Sequence, residues 1–203
     1  MNSANPTVHI VDDDASFRNA VSRLLRAAGH QVQCYPSSAE FLAAKPGAVP
    51  GCVLLDLHMP GTSGLEVQEA FAQTENPLPI IFLTGHGDIP TSVRAMREGA
   101  EDFLTKPVKK DALFPAIERA LARDARERIE RALRREVSAR YETLTARERE
   151  VMALVVAGNL NKQIASDLGT VERTVKAHRA QVMEKMQVTS VADLVRASDI
   201  LSR

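Results

Sequence analysis

Five side chains that could take part in chemistry lie at the ends of short apolar runs in the first half of the sequence. They are Asp12 and Asp13 after VHIV, Asp56 in CVLLDL, Thr84 in PIIFLT and Lys106 after DFLT. A carboxylate is costly in a strand unless it is paired. Taken alone, Asp56 is most simply interpreted as a solvated residue at the start of a loop. Five such residues at corresponding places argue against that interpretation for the group.

The elements that would position these residues alternate between two periods. Short, β-branched runs occur at 8–11, 31–35, 52–57, 79–84 and 102–105. Helical patterns lie between them, for example SFRNAVSRLLRAAG and the segment from Asp88 to Gly99. Residues 1–110 are therefore predicted to form an α/β doubly wound domain with a five-stranded parallel sheet of the flavodoxin-like type.

The carboxyl ends of parallel strands meet at one edge of a sheet, so the five side chains are expected to converge there. Three carboxylates repel one another unless a cation joins them. Oxygen-only ligation by few protein groups suits Mg²⁺ with several waters and a phosphoryl group. An aspartate can also act as a nucleophile and form an acyl phosphate.

Each residue also has a simpler interpretation. The acidic run Asp12–Asp14 could cap the first helix, because negative charge is favoured at a helix N-terminus. Lys106 could be a surface lysine, and Thr84 an ordinary strand threonine. These alternatives account for the residues singly but not for their common placement.

With these residues, segment 1–110 resembles the receiver domain of two-component response regulators. The resemblance implies that Asp56 accepts a phosphoryl group from a sensor histidine kinase. It also implies that Mg²⁺ is arranged, directly or through water, by Asp12, Asp13, Asp56 and the backbone carbonyl of His58.

The same resemblance assigns roles to three further residues. Lys106 would pair with the phosphoryl oxygens, and Thr84 would hydrogen-bond one of them. Phe103 would repack when Thr84 moves. The Lys106-Pro107 peptide bond is expected to be cis. The His58 side chain receives no role, and His86 is interpreted as a loop residue.

Residues 111–140 are predicted to form a long helical linker that continues the last receiver helix. Twelve of the 19 residues in 118–136 are charged. Ile117, Leu121, Ile129 and Leu133 make only a thin apolar stripe, so this helix is expected to be a largely solvated spacer. A two-stranded coiled coil is the alternative, although the heptads are poor.

Residues 141–203 are predicted to form an all-α four-helix helix-turn-helix domain, with helices at 145–157, 161–168, 171–187 and 190–202. Within KQIASDLGTVERTVKAH, the offsets of a helix-turn-helix are occupied by Ala165, Gly169 and Val175. The flanking LTAREREVMALVVAGNLNKQIA and TVKAHRAQVMEKM make the stretch resemble the LuxR-type DNA-binding domain. Receiver and LuxR-type domains together resemble the NarL/FixJ family, and TGHGDIPTSVRAM resembles its FixJ branch.

The second helix of this motif has two distinct faces at ~100° per residue. Val175, Val182 and Met186 form the expected core stripe. The opposite face carries the candidate DNA-binding residues Arg173, Lys176, Ala177 and Ala180, of which the last three match the family's groove-facing positions. Arg179 is expected to contact a phosphate or form an ion pair.

The start of this helix departs from the family pattern. Val171 stands where the family has a serine cap. We expect that Thr170 substitutes for the cap or that the helix starts later; a lost cap costs ~1 kcal/mol.

Composition limits the other possibilities. The 203 residues are 44% hydrophobic, with two cysteines. No signal peptide and no apolar run of ~18–20 residues is present, so a cytoplasmic protein with no membrane partner is expected. Net charge is −3 over 1–110 (9 basic, 12 acidic), +1 over 111–144 (8 and 7) and +2 over 145–203 (9 and 7). The gradient permits a nucleic-acid partner for the last segment.

The predicted function is a phosphorylation-controlled transcription factor and not an enzyme. Its predicted partners are a sensor histidine kinase, double-stranded promoter DNA, RNA polymerase and, on activation, a second copy of the chain; transcription is expected to be activated. Dimerisation is expected to use the face around 88–107 and an apolar stripe of Val191, Leu194, Val195 and Leu201. The alternatives are a Mg²⁺-dependent phosphohydrolase with Asp56 as nucleophile and a receiver-like regulator that works without phosphate. No insertion supplies the substrate cap that the hydrolase would need.

Overall fold

The structure, a computed structural model, describes residues 5–85 and 89–202. The chain forms two compact units that divide between Arg128 and Ile129. Two residues discussed above lie outside the described residues: His86, the expected loop residue, and Asp88, the expected start of the fourth helix.

The first unit contains the five-stranded parallel sheet that the sequence predicts. Its strands are β1 (Thr7–Val11), β2 (Gln31–Tyr35), β3 (Gly51–Asp56), β4 (Ile80–Thr84) and β5 (Asp102–Thr105). Their order is β2-β1-β3-β4-β5, and all neighbouring pairs are parallel. This order places β1 beside β3, so the chain segments that follow these two strands lie next to each other.

Helices cover both faces of the sheet. They are α1 (Ala15–Ala27), α2 (Ser38–Ala43), a 3₁₀ helix (Pro46–Ala48), α3 (Gly64–Ala72), α4 (Ile89–Arg97) and α5 (Lys110–Glu142). Along β3, Cys52 and Leu54 join the core under α1 and α5, whereas Val53 and Leu55 join the core under α2, α3 and α4. Burial on both faces explains why β3 is apolar without alternation until it reaches Asp56.

His9 is a buried polar residue in the middle of β1. Its Nδ1 lies 3.2 Å from the Tyr35 hydroxyl, which itself donates to Gln33 Oε1 at 2.8 Å. The imidazole stacks on the Tyr35 ring and meets the edge of Phe41. Its Nε2 makes no hydrogen bond within the described residues. Burial lowers the pKa of His9 from 6.5 to about 4, because the charged form would lose its hydration.

The long helix α5 begins as part of the first core rather than as a spacer. Leu113, Ala116, Ile117 and Ala120 are buried against β1 and β3. Exposed Pro115 lies inside the helix without ending it. The solvated spacer expected from residue 111 is therefore wrong for the first turns, where the thin apolar stripe is the packing face.

Farther along the same helix, the structure agrees with the expected solvated spacer. Ile129 and Leu133 are 69% and 45% exposed. The division between the compact units falls inside α5, beyond the domain boundary expected at residue 110.

The second unit is all-α, as expected. After the last turns of α5 it contains α6 (Ala146–Val156), α7 (Asn161–Asp167), α8 (Glu172–Lys185) and α9 (Val191–Ser202). Its core joins these helices through Val137, Val151, Ile164, Val175, Val182, Met186 and Leu194. Leu194 is 1% exposed, so the prediction that it belongs to an exposed stripe on α9 is wrong. In the part of the chain that the structure describes, no helix combines the length and apolarity needed to cross a membrane.

An ion pair between buried Glu148 and half-buried Lys185 fixes the start of α6 to the end of α8. Thr145 and Glu148 form a reciprocal capping box at the N-terminus of α6. The Glu148 carboxylate also accepts hydrogen bonds from Lys185 Nζ at 2.6 and 2.9 Å. The hydrogen bond from Lys185 and that from the Thr145 backbone lower the pKa of Glu148.

The environment of His9 predicts acid sensitivity of the first unit. As pH falls from 6.5 towards 4, the unfolded chain binds a proton at His9 that the folded chain does not bind, so stability is lost in this window. His9→Phe should therefore lose less stability than the wild type between pH 7 and pH 5, by about 2 kcal/mol. Urea unfolding of both proteins at the two pH values measures this difference. An equal pH dependence would show that His9 does not have the lowered pKa.

Candidate functional site

Three carboxylates meet at the carboxyl edge of the sheet. Asp12 follows β1 and Asp56 ends the neighbouring β3, and one oxygen from each of Asp12, Asp13 and Asp56 lies within 4.8 Å of the others. Asp12 and Asp56 are buried, whereas Asp13 is exposed. The structure thus brings together the acidic residues that were expected to converge.

Lys106 joins the two buried carboxylates. Its Nζ lies 2.6 Å from Asp12 Oδ2 and 2.8 Å from Asp56 Oδ2. Burial alone would lower the pKa of Lys106, but the hydrogen bonds and negative charges of Asp12 and Asp56 outweigh it and raise the pKa. The lysine therefore stays charged and balances part of the carboxylate repulsion.

Local backbone geometry carries Lys106 to this position. It follows β5, and its backbone N–H donates to the Thr84 carbonyl at 2.7 Å. The Lys106-Pro107 bond is cis, which confirms the expectation from the sequence. The Phe17 ring of α1 lies 4.4 Å from the ammonium, a cation–π contact that the sequence reasoning did not identify.

Backbone N–H groups occupy the other oxygens of the buried carboxylates. Asp12 Oδ1 accepts from Asp14 N–H at 2.9 Å, and Asp56 Oδ1 accepts from His58 N–H at 3.2 Å. Burial raises the pKa of Asp12, and this effect outweighs the lowering by the hydrogen bonds from Lys106 and Asp14. A nearby cation would favour its charged form.

The simpler capping interpretation applies to Asp14 and not to the whole acidic run. Asp14 is the N-cap of α1, and its Oδ1 accepts from Ser16 N–H at 2.8 Å and Phe17 N–H at 3.2 Å. Asp12 and Asp13 are therefore not needed as caps.

Thr84 and His58 lie at the same edge, and Phe103 lies on β5 two residues before that edge. Thr84 ends β4 with no exposed surface, and its Oγ1 is 3.5 Å from His58 Nδ1. The sequence reasoning assigned the His58 side chain no role; its position two residues after Asp56 was the available signal. Phe103 is half-buried, and its ring centroid lies 6.3 Å from that of Phe82 on the neighbouring strand.

The donor set fits a magnesium ion. Its side-chain donors are carboxylate oxygens, and the exposed Asp13 leaves one side open for water ligands. Mg²⁺ prefers oxygen ligands and retains several waters, so few protein ligands suffice. The metal-ligand set of Asp12, Asp13, Asp56 and the His58 carbonyl therefore remains a chemically consistent prediction.

The helix-turn-helix residues of the second unit are packed as their spacing predicts. Ala165 on α7 is 6% exposed, and Val175 on α8 is fully buried. Gly169 between the helices has φ +61°, a value that glycine adopts more easily than other residues. Small, flexible and apolar residues at these positions let α8 lie close against α7.

One face of α8 is free of packing. Arg173, Lys176, Ala177 and Ala180 are exposed, whereas the predicted core residues Val182 and Met186 are buried. Arg179 is half-buried and donates from Nη1 to Asn161 Oδ1 at 2.6 Å. This partner is an amide and not a carboxylate, so the bond connects α8 to the start of α7 without forming an ion pair.

The N-terminus of α8 lacks a side-chain cap. Val171 is the N-cap residue, is 64% exposed and makes no capping hydrogen bond. The helix begins at Glu172, which agrees with the expected later start. The alternative expectation, that Thr170 supplies the cap, is wrong because position 171 holds the N-cap geometry.

Two family models match the chain. One, described as "Response regulator receiver domain", matches residues 8–118, and the other, "Bacterial regulatory proteins, luxR family", matches residues 142–198. Similar proteins include Nodulation protein W of Bradyrhizobium diazoefficiens, at 43% identity over 98% of this chain and 88% of the relative. Transcriptional regulatory protein FixJ of the same organism is 40% identical over 93% of this chain and 92% of the relative.

Solved structures of response regulators are also similar to this chain. A structure of response regulator StyR has a TM-score of 0.82 at 43% identity and covers 97% of this chain and 99% of that chain. A structure of full-length FixJ from B. japonicum has a TM-score of 0.59 at 38% identity and covers 97% of each chain.

The acidic cluster predicts a specific loss of metal binding in Asp13→Asn. Magnesium affinity should fall by at least about tenfold, since even outer-shell changes at metal sites cost 10–100-fold. Stability without metal should change by less than about 0.5 kcal/mol, because Asp13 is exposed. Titration calorimetry with Mg²⁺ measures the affinity.

Asp14→Asn is the matched control, because it removes the same charge nearby while asparagine can still cap α1. Its magnesium affinity should remain within about twofold of wild type. Equal losses in the two variants would mean that general charge, and not ligation by Asp13, governs binding.

Proposed function

The chain belongs to the two-component response regulators that join a receiver domain to a LuxR-type DNA-binding domain, and we propose that phosphorylation of Asp56 controls its binding to promoter DNA. The observation that carries this proposal is the cluster of Asp12, Asp13 and Asp56 with Lys106 at one sheet edge. The same chain carries a helix-turn-helix with an exposed recognition face.

The proposed chemistry is phosphoryl transfer to Asp56. A carboxylate oxygen of Asp56 attacks the phosphorus of a phosphorylated imidazole on a sensor histidine kinase. The new O–P bond forms as the P–N bond breaks, and the imidazole leaves and takes up a proton. Asp56 is 6% exposed, so it would be approached from the open edge of the sheet.

Lys106 and a cation held by the acidic residues would balance the negative charge of the phosphoryl oxygens in this step. Lys106 already lies 2.8 Å from Asp56 and would pair with the incoming phosphoryl oxygens. Mg²⁺, held by Asp12, Asp13, Asp56 and the His58 carbonyl, would when bound withdraw negative charge from those oxygens. Asp12 is buried with its pKa raised, and an added cation would favour its charged form.

The response would pass from Thr84 to the α4 face. The Thr84 hydroxyl would leave the neighbourhood of His58 to bond a phosphoryl oxygen, and Phe103 would fill the space. Phe103 borders a shallow cavity of about 550 Å³ with Val93 and Met96 of α4, which are 44% and 45% exposed. These apolar side chains support a homodimer on activation, in which a second copy covers this face. On α9, Val191, Val195 and Leu201 keep exposed surface for the same purpose.

The DNA step would use the exposed face of α8. The N-terminal half of a recognition helix enters the major groove, which places Lys176 and Ala177 near base edges, with Ala180 one turn farther along the same face. Alanine methyl groups can contact thymine methyls, whereas Lys176 supplies the long polar side chain. Arg173 and Arg179 are proposed phosphate contacts. The regulator bound to its promoter would then activate transcription by RNA polymerase.

Asp56→Asn tests the phosphorylation step. With acetyl phosphate and Mg²⁺, the wild type should gain the mass of one phosphoryl group and shift towards a dimer in sedimentation. Asp56→Asn should do neither, because the nucleophile is lost while the shape is kept. Asp111→Asn, which removes an exposed carboxylate on α5, should behave as wild type. A phosphoryl adduct on Asp56→Asn would refute the assignment.

The same experiment separates the alternatives. Rapid phosphate release without an adduct would favour the phosphohydrolase, and a wild type that takes up no phosphoryl group would favour the regulator that works without phosphate. A phosphorylated wild type that stays monomeric, free and on DNA, would refute dimerisation.

Lys176→Ala tests the DNA step. Lys176 is exposed, so folding should be nearly unchanged. If Lys176 contacts a base, as we expect, specific affinity should fall by ~1–3 kcal/mol and non-specific affinity should change little. If it contacts a phosphate, both affinities should fall and the salt slope should shrink by about one unit. Titrations of operator and random DNA at several salt concentrations measure both.

Arg196→Ala is the control for Lys176→Ala. It removes a 74% exposed cation from α9, away from the proposed reading face. It should leave both affinities close to wild type. If Lys176→Ala also loses nothing on either DNA, Lys176 is not part of the interface.

A further inference from the structure

Asp124 is a buried acid on α5 that the proposed phosphoryl chemistry does not use. It is 1% exposed, and its Oδ2 accepts from the Gly51 N–H at 2.9 Å. Among the described residues, β4 offers Gly51 no strand partner, because β4 begins at Ile80 opposite Val53. Asp124 therefore satisfies the first N–H of β3 from outside the sheet. This contact lies at the end of β3 away from Asp56.

Arg128, one turn later on α5, extends the same attachment. Its Nε donates to Asp124 Oδ2 at 2.8 Å, and its Nη2 donates to the carbonyls of Gly47 and Val49 at 3.0 and 2.8 Å. The attached chain has little room to shift. A Cβ at Gly51 would lie 2.1 Å from the Thr7 carbonyl oxygen. The two side chains thus bind the helix to β3 and to the loop before it; we call them the α5 clamp.

The α5 clamp acts where apolar packing has ended. After Leu121, α5 contributes no apolar side chain to this core within the described residues. On the other side of the helix, Arg119 pairs with Glu101 and is 54% exposed. Half-buried Arg123 pairs with Glu101 at 3.5 Å and donates from Nη1 to the Gly99 carbonyl at 3.0 Å. The Arg128 side chain is 22% exposed and its partner Asp124 only 1%. Exposed pairs contribute little, whereas an opened buried pair leaves an uncompensated charge.

The α5 clamp also lies at the boundary between the two compact units. The first compact unit ends at Arg128, and α5 continues as one helix to Glu142 in the second unit. Whatever holds residues 121–128 therefore determines where the helix departs from the first unit. Arg128 is the last residue of that attachment.

We propose that Asp124 and Arg128 are positioning residues that fix the end of α5 to the receiver, so that phosphorylation at the opposite edge changes DNA binding through a rigidly held helix. This proposal rests on the proposed function. Without the clamp, residues 122–128 open from the receiver, and the helix no longer transmits the state of Asp56. The chemistry at Asp56 is unaffected, because the clamp lies at the other end of β3.

The test uses the full chain with Arg128→Ala, and Arg126→Ala as the matched control that removes an exposed arginine from the same helix. Hydrogen–deuterium exchange of peptides covering 121–130 should be at least about tenfold faster in Arg128→Ala and unchanged in Arg126→Ala. Phosphoryl uptake from acetyl phosphate with Mg²⁺ should stay within twofold of wild type in both. The ratio of DNA affinities with and without phosphorylation should fall towards one only in Arg128→Ala.

Asp124→Asn guards against misfolding, because asparagine keeps the size and can accept from Gly51 while losing the ion pair with Arg128. It should show the same pattern in weaker form. Unchanged exchange in residues 121–130, or an unchanged affinity ratio with faster exchange, would overturn the proposal. If wild-type DNA binding does not respond to phosphorylation, the proposed function and the coupling role both fail, and the exchange result still decides whether the clamp exists.

Discussion

The ammonium of Lys106 between the carboxylates of Asp12 and Asp56 is the interaction on which the receiver site depends. Two buried negative charges at the ends of neighbouring strands repel each other, and Lys106 is 2.6 and 2.8 Å from them. The backbone of Lys106 is held at the end of β4 by its hydrogen bond to the Thr84 carbonyl, which continues the pairing of β4 with β5. The strand order and the position of the residue after β5 therefore together bring the Lys106 ammonium to the two carboxylates.

The sheet places different kinds of contact at its two ends. At the carboxyl end, charges are close together and incompletely balanced, which suits a site that exchanges a cation and a phosphoryl group. At the amino end, Asp124 and Arg128 satisfy backbone groups of β3 and its preceding loop. The body of β3 between them is wholly buried and apolar, with no exposed residue from Gly51 to Asp56. This buried strand connects Asp56 at one end of the sheet to the attachment of α5 at the other.

In the second unit, packed and exposed residues lie on opposite sides of a single helix. Val175, Val182 and Met186 hold α8 in the core, and the ion pair of Lys185 with buried Glu148 fixes its end to α6. Arg179 fixes the middle of the helix to α7 through Asn161. Because these contacts hold the helix from one side, Lys176, Ala177 and Ala180 stay exposed on the other. The uncapped Val171 shows that α8 relies on tertiary contacts more than on its own N-terminal hydrogen bonds.

Local patterns determined much of this protein from the sequence alone. Period and turn signals predicted the five strands, their parallel arrangement and the four short helices, and the carboxyl-end rule predicted that Asp12, Asp56 and Lys106 converge. Other features depended on contacts between residues far apart in the chain: the Phe17 ring beneath Lys106, His58 beside Thr84, the burial of Leu194, and the use of Asp124 by Gly51. In the sequence, Asp124 is one of many charged residues in a polar helix, and Leu113 and Ile117 are part of a thin stripe. Only the tertiary structure decided which of these face the sheet, because periodicity shows which residues share a face but not what that face meets.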